Sequence, residues 1–578
     1  MENADVVRLL SEMADVLELT GGNPFKVRAY RQAAQVIDTL PEPVSELWRR
    51  DALTELPSVG AGIASAIAEI LSTGTFAKHD RLAREVPLGV LELLRIEGVG
   101  PRTVAAAWKE LGIEGVAALA AACEDGSLAK LPRMGPQRVK AIREAIDRYR
   151  GRGNRMPVHR AYFYAEGMLE RLRHVPGVLR AEAAGSLRRR RETVGDLDLL
   201  VSSRRPDAVM RAFTQLPGVE SVIARGETKS SVRLQAGLQV DLRVLPPESW
   251  GAALQYFTGS KSHNIELRAR AVRRGLKISE YGVFDRQGAR LGGASEEEVY
   301  AAVGLPWIPP ELREGAGEID AAEAGRLPVL VEEDDILGDL HVHSDASSDA
   351  RSSLEELAAE AHRLGRRYLA ITDHSRSRPL GLDADALRGQ VARVRALDRS
   401  LGGRPRLLTG VEVDILPDGS LDLPLDLLAE LDWVVASIHS HFRETEARTT
   451  ARLVRAIRSG VVDLVGHPSG RQIGKRDAYP FDLHAVLEAA AEHGVALEIN
   501  AMPDRLDLAD RACRLAAQAG VRVAIDSDAH NTSHLANLRY GVWVARRGWL
   551  TAGDVLNTQP LARLARRRRE QEGAEVWK

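Results

Sequence analysis

The stretch Ala184-Gly-Ser-Leu-Arg-Arg-Arg-Arg-Glu-Thr-Val-Gly-Asp-Leu-Asp-Leu-Leu200 decides how the first half of the chain is read. Asp196 and Asp198 alternate with leucines, so on a strand both carboxylates leave from one face while the leucines enter a core. Neighbouring acids repel, and divalent cations relieve that repulsion. Two such ions about 3.5–4 Å apart can activate a hydroxyl and stabilise a leaving pyrophosphate. A third acid must come from a neighbouring strand, and Val240-Asp-Leu-Arg-Val244 offers Asp241 in an apolar, strand-like setting. Upstream, Gly185 permits close approach of a triphosphate, the Ser186 hydroxyl can donate to it, and Arg189 can grip it through two nitrogens.

Toward the N-terminus, residues 1–150 read as short amphipathic helices separated by glycine turns. They carry an imperfect repeat: Leu56-Pro-Ser-Val-Gly60-Ala-Gly-Ile-Ala64, Ile96-Glu-Gly-Val-Gly100-Pro-Arg-Thr-Val104 and Leu131-Pro-Arg-Met-Gly135-Pro-Gln-Arg-Val139. Each copy places an apolar residue, a glycine turn and a helix start in that order. The turn aims free backbone N–H groups at an anion, and phosphate is the natural occupant. The repeat resembles the helix-hairpin-helix element, which holds DNA backbones without reading sequence. That resemblance implies DNA contacts at Gly60, Gly62, Gly98, Gly100 and Gly135. Only the middle copy has the full Gly98/Gly100 pair, since Ser58 and Arg133 replace the first glycine elsewhere.

Toward the C-terminus, short apolar strands alternate with helical stretches, which predicts a parallel α/β barrel or sheet. Candidate metal ligands recur where those strands end. His341 and His343 follow Asp339-Leu, His374 follows Tyr368-Leu-Ala-Ile-Thr-Asp373, and Glu412 sits in Gly410-Val-Glu-Val-Asp414. His439 follows Trp433-Val-Val-Ala-Ser-Ile438, His467 follows Val461-Val-Asp-Leu-Val-Gly466, and Asp528 and His530 close Arg522-Val-Ala-Ile-Asp-Ser-Asp-Ala-His530. Strand ends at one face of a barrel converge, so residues far apart in sequence can build one site. Many imidazoles with several carboxylates can hold two or three ions and suit Mn²⁺, Zn²⁺ or Fe²⁺ better than Mg²⁺ alone. Clustered ions of this kind favour phosphoester hydrolysis.

Composition agrees with this division. The chain has 578 residues and is 44% hydrophobic and 28% charged, which fits several globular domains and excludes a largely disordered or fibrous protein. Residues 318–578 hold 34 Lys+Arg against 41 Asp+Glu, and residues 1–317 hold 45 against 40, so the halves differ in sign. Eleven of the fifteen histidines lie in 318–578, which is where metal chemistry is expected. Cys123 and Cys513 form no CxxC pair, so neither a disulfide framework nor a thiolate zinc site is expected. With no secretory leader and no apolar run of membrane-spanning length, a cytoplasmic protein that avoids membranes is expected. Arg566-Arg-Arg-Arg569 reads as a solvated helix face or a nucleic-acid contact.

With Tyr256-Phe-Thr-Gly-Ser260, Asn264 and Arg268 added to the acid triad, residues 1–317 resemble the family X DNA polymerases, relatives of polymerase beta. The resemblance implies that Asp196, Asp198 and Asp241 hold two Mg²⁺ or Mn²⁺ ions, with Asp241 as base for the primer hydroxyl. It also implies that Gly185, Ser186, Arg189 and Gly195 serve the triphosphate. Tyr256, Phe257, Gly259, Asn264 and Arg268 would line the sugar, base and template side. Lys26 and Lys78 match family lysines associated with a 5′-phosphate. Ala66 stands where lyase-active members carry the Schiff-base lysine, so deoxyribose-phosphate lyase chemistry through that residue is not expected, because a methyl group is no nucleophile.

The C-terminal pattern resembles the PHP domain, a distorted seven-stranded (βα) barrel with a trinuclear centre. It implies ligands at His341, His343, Asp349, His374, Glu412, His439, His467, Asp528 and His530, with Glu412 bridging ions. Asp345 competes with Asp349, because the loop Ser344-Asp-Ala-Ser-Ser-Asp349 is one residue longer than usual. His441 is either a phosphate contact or an exposed loop residue.

Together these resemblances imply a multidomain chain: helical DNA-binding domains at 1–86 and 87–150, an α+β nucleotidyltransferase palm at 151–246, a thumb-type subdomain at 247–317, an exposed linker at 318–335 and a metallohydrolase barrel at 336–578. The expected function is a monomeric repair polymerase that fills short gaps from dNTPs on gapped or primed DNA, especially with a 5′-phosphate. A manganese-dependent 3′→5′ exonuclease accompanies it. The alternatives are an abasic-site endonuclease, a small-molecule phosphatase fused to a DNA-binding module, or a non-catalytic scaffold.

Overall fold

The computed structural model describes residues 3–38, 44–56, 59–73, 76, 78, 86–96, 99–132, 134–152, 155–378 and 381–564. Gly98, Ser58, Arg133 and Arg566–Arg569 lie outside the described residues. The chain divides into two compact units, 1–153 and 154–578.

The described residues of the first unit are helical and form two apolar cores. Leu9, Leu10, Met13 and Leu17 of the helix Asn3–Leu19 enter one core with Ile63, Ile67 and Ile70. Val16 and Leu19 of the same helix enter the other, with Val104, Leu119 and Ile142. The helix starts that follow the three glycines repeat one hydrogen-bond pattern. The carbonyls of Gly60, Gly100 and Gly135 accept the first hydrogen bonds of the helices Ala61–Thr73, Pro101–Leu111 and Pro136–Arg152, at 2.9–3.1 Å. A Cβ on any of these glycines would meet nothing within 4 Å, which leaves room for an outside group to approach the backbone.

The second unit opens with a five-stranded sheet: β1 (Val178–Ala183), β2 (Asp196–Ser203), β3 (Val219–Arg225), β4 (Lys229–Leu234) and β5 (Gln239–Leu245), in the order β1-β2-β5-β4-β3. β2 and β5 run parallel, and the other pairs are antiparallel. Leu197, Leu199 and Val201 pack with Val209, Met210 and Phe213 of the helix Pro206–Thr214. Leu200, on the carboxylate-bearing face, packs with Leu245, Trp250 and Leu254. The helices Trp250–Thr258, Lys261–Arg273 and Glu296–Ala302 and a three-stranded sheet follow, around a core that includes Leu267, Ile278 and Val299.

The exposed linker expected over 318–335 is packed in part, with 323–326 and 332–334 exposed. Glu318–Glu323 is a helix, Glu318 is buried against His263, and Ile319, Ala322 and Leu330 join the preceding core. The acidic composition concealed an apolar pair at i, i+3, which is enough to dock one helical turn.

The remaining strands, β6 (Gly338–Val342), β7 (Tyr368–Ile371), β8 (Arg406–Asp414), β9 (Trp433–Ser437), β10 (Leu464–Val465), β11 (Ala496–Asn500) and β12 (Val523–Asp526), form a parallel sheet in sequence order. A parallel bridge from Val342 to Ala529 nearly closes it into a barrel. Buried acids lace this seam: Asp526 Oδ1 accepts from Leu340 N–H at 2.8 Å, and Asp339 Oδ1 accepts from Ser527 N–H at 3.1 Å.

Candidate active sites

In the first site, register sets the acids side by side. Asp198 pairs with Asp241 across β2 and β5, and Asp196 pairs with Gln239. Burial first, then the Asp196 and Asp241 carboxylates, pushes Asp198 up to about 6. Asp241 lies below the usual carboxylate range. Burial opposes this but is outweighed by hydrogen bonds from Gln239, Ser231 and Lys229. Gln239 Nε2 donates to it at 2.9 Å, and Lys229 Nζ stands 3.1 Å away.

A cavity of about 560 Å³ opens beside Asp196 and Asp198, while Asp241, paired with Asp198, is not part of its wall. The palm contributes Gly185, Ser186, Arg189, Gly195, Asp196 and Asp198 to its wall, and Tyr256, Phe257, Gly259 and Asn264 come from the opposite side. Asn264 is fixed by Gln255 and by the Tyr256 carbonyl, each at 2.7 Å. Arg268 is not part of the wall; it is exposed, and its Nε donates to the Asn264 carbonyl at 3.2 Å.

The four consecutive arginines divide among three partners, two of them sharing Glu314. Arg188 makes two bonds to buried Glu296, and Arg189 meets Glu314 at 3.0 Å. The Arg190 guanidinium lies 4.1 Å over the Trp543 ring, and Arg191 stands 3.8 Å from Glu314. Lys261, Arg155 and Glu314 also line the cavity and were missed by the sequence reading. Lys261 directly follows the quoted Tyr256–Ser260 motif, which was a usable signal.

The second site lies at the barrel strand ends, and all nine expected ligands converge there. Glu412 is central: its carboxylate lies 2.7 Å from His374 Nδ1, 3.0 Å from His467 Nε2, 3.3 Å from His439 Nε2 and 3.5 Å from His341 Nε2. Asp528 lies 3.2 Å from His343, and Asp349 lies 3.3 Å from His374 and 3.7 Å from His530. Asp345, the competitor, instead faces Arg393 at 3.4 Å. His441 is exposed, with its Nδ1 3.1 Å from Ser440 Oγ.

The donor set suits metal ions. His341 Nε2, His343 Nε2, both His374 ring nitrogens and Glu412 Oε2 are buried and lie close to opposite charges, yet none is aligned for a hydrogen bond, although buried polar atoms are normally paired. Ligand atoms of His343/His374/His530, His341/His343/Asp528 and His374/Glu412/His439 each gather within 4.8 Å. Burial, and then the charges of His374 and His530, hold His343 well below its ordinary pKa, so it presents a neutral nitrogen.

β11 adds residues the sequence reading passed over. Glu498 accepts from His341 Nδ1 at 2.7 Å and so aims Nε2 inward, while Asn500 donates to Asp528 at 3.0 Å. Their signal was Leu497-Glu-Ile-Asn500, polar groups alternating within a wholly buried strand. Arg505 Nε lies 3.7 Å from Asp528, and its Nη1 is buried without a partner.

A carboxylate triad beside a nucleotide-sized cavity, joined to a histidine-rich barrel, defines a two-site phosphoryl-chemistry protein. Comparison with known proteins is consistent with that class. Residues 1–76 match the helix-hairpin-helix domain, 90–148 the SAM-like helix-hairpin-helix tandem, 253–314 the DNA polymerase beta thumb and 339–502 the PHP domain. The chain is 39% identical to the DNA polymerase/3′-5′ exonuclease PolX of Bacillus subtilis (strain 168), over 97% of this chain and 98% of that protein. A probable phosphatase of Thermoanaerobacter sp. (strain X514) is 33% identical over 38% of this chain and 89% of its own length. One from Caldanaerobacter subterraneus subsp. tengcongensis is 37% identical over 33% and 75%. The chain belongs to the bacterial family X DNA polymerases that carry a C-terminal PHP domain. Members of this class use divalent metal ions and bind DNA.

Proposed function

We propose that this chain is a repair polymerase filling short DNA gaps from dNTPs, with a 3′→5′ exonuclease in its PHP barrel. The full-length likeness to the Bacillus subtilis protein, together with the register-matched acids beside the cavity, carries the reading. Asp196, Asp198 and Asp241 would hold two Mg²⁺ or Mn²⁺ ions. These ions would supply charge stabilisation at the phosphoryl group and a more acidic primer hydroxyl. Asp241, kept ionised by its hydrogen bonds, would accept the hydroxyl proton. Ser186, Arg189 and Gly195 would face the triphosphate, and Tyr256, Phe257 and Asn264 the sugar and base.

In the barrel, the nine ligands would hold two or three Mn²⁺, Zn²⁺ or Fe²⁺ ions, and Arg505 would meet the substrate phosphate. Lys26, Lys78 and the turns at Gly60, Gly62, Gly100 and Gly135 would hold the backbone of gapped DNA, with Lys26 and Lys78 nearest its 5′-phosphate. The division 1–86, 87–150, 151–246, 247–317 and 336–578 serves these roles, with the helix Glu318–Glu323 and Leu330 added to the thumb-side core. The protein would act as a cytoplasmic monomer. Among the described residues no helix is long and apolar enough to cross a membrane.

The probable-phosphatase relatives of the barrel favour a second reading, a small-molecule phosphatase. A labelled primer on a one-nucleotide gap separates the two, with Mn²⁺, with and without dNTPs. Extension is expected to vanish only in Asp196→Ala/Asp198→Ala, and shortening only in His341→Ala/His343→Ala. Shortening that survives the histidine changes while phosphomonoester hydrolysis disappears would replace the nuclease by the phosphatase.

A further inference from the structure

The barrel helix Leu538–Arg547 ends against the cavity of the polymerase site. Arg547, with its side chain only 6% exposed, donates to the Arg189 backbone carbonyl at 2.7 Å and to Glu314 Oε1 at 2.9 Å. Asp510, another barrel residue, accepts from Arg547 Nε at 2.9 Å and from Nη2 at 2.7 Å and so fixes the fork. The same Glu314 oxygen accepts from Arg189 Nε at 3.0 Å, and Arg189 Nη1 is spent on the Thr258 carbonyl at 2.5 Å. Next to it, Arg190 is in the left-handed region (φ 57°) and stacks over Trp543 of the barrel helix. An anion pocket therefore contains a carboxylate that occupies its own arginine, and the barrel supplies a second cation to that carboxylate.

We infer that Arg547 is a positioning residue for the polymerase. By holding Glu314 and the Arg189 carbonyl from the barrel, it lets Arg189 leave Glu314 for an incoming triphosphate. The inference rests on the polymerase reading of the cavity. A dNTP phosphate that takes Arg189 through Nε displaces Glu314 from it. With Arg547 present, the displaced carboxylate keeps a charge-assisted partner; without it, Glu314 is left half-buried with Arg189 as its main cation, and the exchange is penalised. The barrel is then part of the nucleotide-binding apparatus of a site 350 residues earlier in the chain.

Single-nucleotide extension by the full chain tests this, with kcat and KM for dNTP measured separately. Arg547→Ala is expected to raise KM roughly tenfold, the loss of one charged hydrogen bond, with a smaller change in kcat. Adding Glu314→Gln is expected to return KM most of the way, because the competitor loses its charge; a merely structural role for Arg547 gives no such rescue. A parental KM in Arg547→Ala, or a penalty that persists in the double variant, overturns the inference. Should Arg547→Ala lose nuclease activity as well, Asp510→Asn replaces it, with the same expected rise and the same refuting result. A parent that shortens primers but extends none refutes the polymerase reading instead, which is a distinct outcome.

Discussion

Gly185 turns its bare Cα toward Asp198: a Cβ there would lie 2.2 Å from Asp198 Oδ2. Its φ of +59° adds a second reason for glycine, since an L side chain in that region costs about 1–2 kcal/mol. The motif glycine therefore serves the catalytic acid beside it as well as any triphosphate. Gly185→Ala is expected to lower extension roughly a hundredfold by displacing Asp198, through the same sensitivity that makes ångström-scale misplacement costly. Primer shortening by the same variant is the control, and equal loss of both activities would refute the assignment.

The raised Asp198 predicts how metal and proton compete. Its folded value of about 6 lies above the ordinary 3.8, so without metal its contribution to stability is complete below about 3.8 and is lost as pH rises through about 6. A cation at the triad cancels that loss. The rise in melting temperature on adding Mg²⁺ is therefore expected to be larger at pH 7.5 than at pH 5. Subtracting the rise seen in Asp196→Ala/Asp198→Ala isolates the triad, and a pH-independent difference would contradict it.

Glu498 holds His341 from behind, so Glu498→Gln keeps the shape but weakens the hold on the Nδ1 proton. Loss of such a partner typically costs 10–100-fold in metal affinity, so roughly that loss is expected here. Metal content after dialysis reads it directly. Shortening should recover in excess Mn²⁺ for Glu498→Gln but not for His341→Ala/His343→Ala; equal recovery in both would remove His341 from the ligand set.

Glu296 is shared by Arg188, by the fully buried Arg313 and by the Trp307 indole N–H at 3.0 Å. Burial opposes its ionisation, yet Arg188 and Arg313 hold it well below the usual carboxylate range. Its stabilising effect is therefore complete above about 4.5 and is lost only as strong acid protonates it. Glu296→Ala takes from buried Arg313 the carboxylate it hydrogen-bonds and is expected to cost about 3–5 kcal/mol. Urea unfolding followed by tryptophan fluorescence measures it, and a change under about 1 kcal/mol would show that solvent or another acid compensates.

Much of both sites was legible because their residues lie in short local patterns. Asp-Leu-Asp dictates two carboxylates on one strand face whatever surrounds it, and histidines after apolar runs mark strand ends. The segment 318–335 misled because its composition is acidic while two spaced apolar residues, Ile319 and Ala322, decide its packing. Asp349 could not be separated from Asp345 by counting along a loop, since loop conformation depends on what the loop packs against.

By itself the sequence determined periodicity: the glycine-turn repeat, the alternation that exposes Asp196 and Asp198, and the strand-end ligands. Each is a relation among residues a few positions apart, which backbone geometry alone converts into direction. Long-range packing assigns each charge its partner. Arg188, Arg189, Arg190 and Arg191 are identical in sequence, yet they meet Glu296, Glu314, Trp543 and Glu314 again, because residues more than a hundred positions away are carried to them by packing. The Glu498–His341 and Arg547–Glu314 contacts are of the same kind: no local spacing encodes them, and burial of long-range neighbours in low dielectric makes them matter.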